Sequence, residues 1–222
     1  MATKTKTGIC AITTTVVAFL FILIAFCTPY WLVNDGKIPD PQFIKIGLWE
    51  VCFNNFKEFK HQYDTKFLGC WWVFEEEYYI IHDFLLPAFF IATQFFFTLC
   101  MTLLLVAAFL TWMYCFCSRD HDKYLLLLLT IGSDLVLAGF FGTVSCLIFG
   151  SNGDRRDWMP YWEHNDLGWS FGLACVGSLL LFPAGAMFLV EARRVRYRKL
   201  EASRPSLQYQ MDERKPHHSQ MY

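Results

Sequence analysis

Residues 47–52 read GLWEVC, a cluster lying in a polar part of an otherwise oily chain. Gly47, Leu48 and Trp49 stand just ahead of Cys52, and the next cysteine is Cys70. The flanks, FIKIGLWEVCF and FLGCWWVF, are rich in β-branched and aromatic residues and read as strands. Alternation puts Ile44, Ile46, Leu48 and Cys52 on one face, interrupted by Glu50, and Leu68, Cys70, Trp72 and Phe74 on one face of the second strand. A disulfide between the strands would fix their register, and Gly47 would let another backbone or ring approach closely.

Outward from this stretch, charges avoid four long tracts, at residues 8–28, 84–114, 124–150 and 167–190, broken only by Asp134 in the third. A helix needs about 20 apolar residues to cross a hydrocarbon core of about 30 Å. All four qualify as spans. The first follows Lys4 and Lys6, but its apolar run exceeds the 7–15 residues of a signal-peptide core, so it reads as a retained span. The fold class is a membrane all-α four-helix bundle with a small extracellular β-sheet.

Lysine and arginine set the orientation. The side holding both termini carries 12 basic residues and the other side seven, with EARRVRYRK directly after the fourth span. Both termini are expected in the cytoplasm: residues 1–7, the connection 115–123 and the tail 191–222. The tail is polar and reads as disordered. Outside lie a first loop at 29–83 and a second at 151–166. Seven of the eight tryptophans sit in these loops or at the outer rim, as an interfacial belt requires.

Of nine cysteines, only Cys52 and Cys70 fall in the outer loops. The exterior is oxidising, so these two are expected to pair as a staple. Closing the segment between them stabilises the loop by about 3 kcal/mol on a chain-entropy argument.

Trp31, then GLW at 47–49, then Cys52 and Cys70, resembles the W–GLW–C–C signature of the claudins. The resemblance extends over the whole four-span chain. It implies a left-handed four-helix bundle carrying a five-stranded antiparallel sheet. It also implies side-by-side polymerisation in cell–cell junctions, with the protein itself and other claudin-like or junctional membrane proteins as partners in cis and trans. Two departures stand out: a long gap between the cysteines, and no arginine in the border EEEYYIIHDFLLP before the second span. Both are similar to the claudin-like proteins of insect septate junctions. Claudins often end in a valine that a PDZ scaffold captures; the ending HHSQMY, with Tyr222 last, fits that pattern poorly. Calcium-channel gamma subunits and the peripheral-myelin group look similar, but usually carry an outer glycosylation sequon. None occurs at Asn34, Asn54, Asn55, Asn152 or Asn165. An auxiliary subunit of an ion channel or receptor is the alternative function.

Other residues carry two readings each. Asp134 is an intramembrane acid that either helps helix packing through Thr130, Ser133 or Gln94, or serves transport. Gly139, Gly142, Gly168, Gly172 and Gly177 either pack the bundle or meet other protomers. Cys115 and Cys117, at the inner membrane boundary, are candidates for palmitoylation, and claudins resemble this in their acylated cysteines. Trp158, Tyr161 and Trp162 are candidate protomer contacts or merely part of the belt, and FNNF at 53–56 is grouped with them as a docking segment.

No catalytic set, metal-ligand spacing or phosphate-cradling loop appears, and His61, His82 and His164 are scattered. The chain is therefore not expected to be an enzyme, to hold a cofactor or to bind nucleic acid. The outer loops carry 13 acids against 7 bases, which predicts a cation-favouring leak, although Lys57, Lys60 and Lys66 outnumber Glu58 and Asp64 between the cysteines.

Overall fold

The computed structural model describes residues 4–57, 66–118, 121, 123–156 and 158–213. Helix α1 (Lys6–Cys27) is followed by strands β1 (Leu32–Asn34), β2 (Phe43–Ile46), β3 (Glu50–Phe56) and β4 (Phe67–Trp72). A 3-10 turn at Glu76–Ile81 leads into the short α2 (His82–Leu85). Helices α3 (Ala88–Phe116) and α4 (Tyr124–Asn152) form an antiparallel pair. Strand β5 (Asn165–Leu167) then precedes the long α5 (Trp169–Glu213).

Four of these helices are long and apolar enough to cross a membrane. Their outward side chains stay apolar: Phe109, Leu126 and Leu147 are each at least 60% exposed. That suits a lipid solvent, which offers polar atoms no partner. Span hydroxyls accordingly bond within their own helices. Thr15 donates to the Ala11 carbonyl, Thr98 to Gln94 and Ser178 to Ala174. Small residues draw the helices together. A Cβ on Gly132 would meet Leu189, one on Gly185 the Gly132 carbonyl, and one on Gly177 Ile22 of α1. Gly139 and Gly142 abut α5 at Ser178. These glycines serve the bundle itself. In GWSFG, Gly168 lies against the Tyr30 backbone, while Gly172 has nothing within 4 Å.

The sheet has five antiparallel strands in the order β4-β3-β2-β1-β5. Its first four strands come from the first loop and its fifth from the second. The pairs Leu32–Leu167 and Asn34–Asn165 join the two loops into one body.

Three expectations need correction. Ile44 and Ile46 do not share a face: Ile44 is exposed while Phe43 and Ile46 are buried, because the register shifts between Phe43 and Lys45. A bulge resets alternation by one residue. The second span does not begin at residue 84; Pro87 cannot continue the short helix before it, and α3 starts at Ala88. The tail is not structureless from residue 191, since α5 runs to Glu213. Extending an existing helix avoids the cost of nucleation, and Glu, Ala, Arg, Lys and Leu are good helix formers. The last residues, 214–222, lie outside the described residues.

Candidate interaction surface

The W–GLW–C–C residues build the joint between bundle and sheet. Trp31 is fully buried, and its indole N–H donates to the Ala25 carbonyl at 2.8 Å. Its ring meets Phe97, Phe149 and Phe171 edge-on, with centroids 5.0, 5.1 and 5.8 Å away. One indole thus plugs the mouth of the bundle, against α3, α4 and α5. Gly47 is there for space: a Cβ would come within 2.5 Å of Pro29 Cα and 2.8 Å of the Thr28 carbonyl oxygen. Leu48 is buried, and its carbonyl accepts from the Gln94 side chain of α3 at 2.6 Å. Trp49 is half-buried, its ring 5.2 Å from that of Phe26. The answer to the opening cluster is therefore mechanical: it fastens a small sheet to helices that leave the membrane.

Cys52 and Cys70 are register partners on β3 and β4, joined in a disulfide, with Cα atoms 4.0 Å apart. Cys52 faces inward and Cys70 is exposed. Among the described residues, Glu50 with these two cysteines is the one metal-like grouping, its atoms within 4.8 Å. Both sulfurs are tied up in the disulfide, so neither offers a thiolate.

Strand β4 is an edge strand with an apolar outer surface. Leu68, Trp71, Trp72 and Phe74 are 67%, 43%, 55% and 44% exposed. Exposure does not alternate along this strand: Leu68 to Trp72 are all exposed, as an edge strand allows. The segment 58–65 between β3 and β4, with most of the inter-cysteine charges, lies outside the described residues.

The three candidate contact rings of the second loop divide. Trp158 is 3% exposed and inserts among Phe89, Phe90 and Phe149, at centroid distances of 4.9, 5.3 and 6.0 Å. A ring so enclosed is a core residue and not a docking group. The chain then turns through the left-handed region at Tyr161, φ 54°, which leaves Tyr161 51% exposed. Trp162 is half-buried under the Arg156 guanidinium, 4.8 Å from the ring centroid. In FNNF, likewise, Phe53 and Phe56 are buried and stacked at 4.8 Å, so that segment offers only its asparagines.

Sequence reading missed several ties. Asp35, after β1, accepts from His164, before β5, at 3.1 Å, and pairs with Lys37 at 3.1 Å. The Asp35 backbone N–H donates to the His164 carbonyl at 2.8 Å. The backbone N–H of Lys37 above all, then the His164 ring and the Lys37 ammonium, hold the Asp35 carboxyl down at about 2 against the opposing effect of burial. Lys37 is raised in return by the same carboxylate. Lys45 donates to the Tyr30 hydroxyl at 2.9 Å, and Tyr30 stacks on Trp169 at 5.1 Å. Apart from Asp35 and Lys37, these pairs are far apart in sequence, so no local pattern announces them.

At the far end of the bundle, Cys115 is exposed and Cys117 is half-buried. Cys117 borders a groove of about 700 Å³ lined by Leu110, Met113, Phe116 and Leu126. Within α4, the hydroxyls expected to support Asp134 turn to main-chain carbonyls instead: Thr130 to Leu126 and Ser133 to Leu129 and Thr130. Gln94 is committed to Leu48, and Asp134 Oδ2 is buried with no partner.

The family model described as PMP-22/EMP/MP20/Claudin tight junction matches residues 16–190, from within α1 into α5. No curated protein matches the sequence.

Proposed function

Because the chain belongs to the PMP-22/EMP/MP20/Claudin family, we propose that it is a claudin-like structural component of cell–cell junctions that polymerises into a paracellular barrier. The family makes it a multi-pass membrane protein, and the excess of lysine and arginine on the side holding both termini supports a cytoplasmic location for them. The sheet then projects from the plasma membrane between cells. The observation that carries the reading is the β4 edge. Solitary proteins blunt exposed sheet edges with charge or proline. This one carries Leu68, Trp71, Trp72 and Phe74 in the open. Such a surface suits contact with further copies or with related junctional proteins. Tyr161, just before β5, adds an exposed ring at the opposite edge of the sheet.

The missing arginine and the long inter-cysteine gap favour a septate-junction type. Expression in a polarised epithelium tests the assignment. Continuous lateral strands with raised transepithelial resistance are expected. Puncta that follow an ion channel or receptor would replace this reading with that of an auxiliary subunit. The acidic excess of the outer loops predicts that any residual leak favours cations. Dilution potentials across the monolayer measure this, and an anion-selective leak would mean that the inter-cysteine lysines line the path.

A further inference from the structure

Where α1 ends and the sheet begins, a cleft of about 200 Å³ opens between Phe26, Trp49, Glu50, Cys70, Trp71 and Trp72. Its chemistry is specific. The Trp49 and Trp72 indoles and the Phe26 ring supply aromatic wall, while the Trp71 indole turns back along β4 and donates to the Leu68 carbonyl at 3.0 Å. Glu50 supplies the one charge, and no cation pairs with it among the described residues. The Trp49 indole N–H is buried and donates to nothing.

A metal ion does not suit this set. Hard cations want six or more oxygens, and the neighbouring sulfurs are locked in the disulfide. A cation with an apolar skin does suit it. Its methyl groups lie against aromatic faces, its charge is attracted by their π-systems, and a carboxylate completes the neutralisation. The volume decides between a whole molecule and a headgroup. Ligand pockets commonly measure about 300–1,000 Å³, so a cleft of about 200 Å³ takes only the end of something larger.

The place says what that something is. Phe26 and Cys27 form the last turn of α1, the level at which the span leaves the hydrocarbon. Lipid headgroups lie at that level. Anionic lipids are concentrated in the opposite, cytoplasmic leaflet.

We propose that this cleft binds the trimethylammonium group of an outer-leaflet choline phospholipid, between the Trp49 and Trp72 rings and the Glu50 carboxylate. The lipid thereby becomes part of the hinge between helix and sheet. The inference rests on the membrane placement of α1 and on the outward-facing sheet. It does not depend on strand formation, so the imaging assay and this one can fail separately.

The test uses the full chain in a maltoside detergent, probed by native mass spectrometry with a short-chain phosphatidylcholine, the matching phosphatidylglycerol and choline chloride. One retained phosphatidylcholine is expected, with retention about tenfold weaker in Glu50→Gln and Trp72→Ala and preserved in Trp72→Phe. The Cys52–Cys70 disulfide, checked in non-reduced peptides, reports that each variant is folded. Equal retention of phosphatidylglycerol, or unchanged retention of phosphatidylcholine in both Glu50→Gln and Trp72→Ala, would mean ordinary interfacial lipid and overturn the site. Choline chloride displacing the lipid at equal concentration would overturn the assignment to a membrane lipid.

Discussion

The ammonium of Lys4 caps the end of α3 at Tyr114. It donates to the Tyr114 carbonyl at 2.7 Å and to the Cys117 carbonyl at 2.9 Å, and it sits 4.1 Å from the centre of the Tyr114 ring. The last carbonyls of a helix have no partner in the helix itself, and a cation there also meets the negative end of its dipole. Nearby, Arg194 of α5 donates to Thr7 at 2.8 Å, so the N-terminus fastens two helices at once.

Lys4→Met should therefore lower the thermal stability of the detergent-purified protein. A hydrogen bond to a charged group contributes about 1.5–3 kcal/mol, and the loss should amount to at least one such bond. Lys6 is exposed and makes no such cap, so Lys6→Met should leave the melting temperature unchanged. Equal effects from the two variants would reduce Lys4 to a topology signal.

Cys52→Ser and Cys70→Ser should each keep the protein from the cell surface. Removing a staple from a small domain costs about 2–5 kcal/mol, and this sheet has only a thin core around Phe43, Phe53 and Val51. Surface biotinylation measures delivery. Gly47→Ala should act in the same direction, since its Cβ meets the main chain of Thr28 and Pro29 and not a movable side chain. Normal surface levels for all three would show that the joint tolerates slack.

Trp158→Ala and Tyr161→Ala should separate by mechanism. Trp158 fills the space between Phe89, Phe90 and Phe149, and emptying it costs about 3–5 kcal/mol. That variant should be retained inside the cell. Tyr161 is open, so Tyr161→Ala should reach the surface with unchanged stability and form fewer strands. Strands of normal length in Tyr161→Ala would leave its ring as part of the interfacial belt.

The link between the two outer loops should weaken in acid. The Asp35 carboxyl titrates lower in the folded protein than the ordinary 3.8, at about 2. A depressed carboxyl favours the fold fully above its unfolded value. The contribution is lost as pH falls from about 4 through about 2. Amide exchange of β5 should rise over that window in the wild type. Asp35→Asn should show the faster exchange already at neutral pH and little further change in acid. An identical pH profile in the two proteins would remove Asp35 from the link.

Four spans, the large first loop and the pairing of Cys52 with Cys70 were legible in the chain by itself. Apolar length, charge asymmetry and the position of a cysteine relative to the membrane are properties of a segment, and they survive whatever its neighbours do. Tertiary structure decided the facing of Trp158 and Tyr161, three residues apart in one aromatic run, because burial depends on α3 and α4 closing over one ring and not the other. It also made Asn165–Leu167 a strand: a three-residue segment has no pattern of its own and becomes regular only when β1 lies beside it. The same holds for Lys4. In the sequence it is a charge near a span; in the fold it completes a helix that begins 84 residues later, at Ala88, because folding brings the unpaired carbonyls of α3 within its reach.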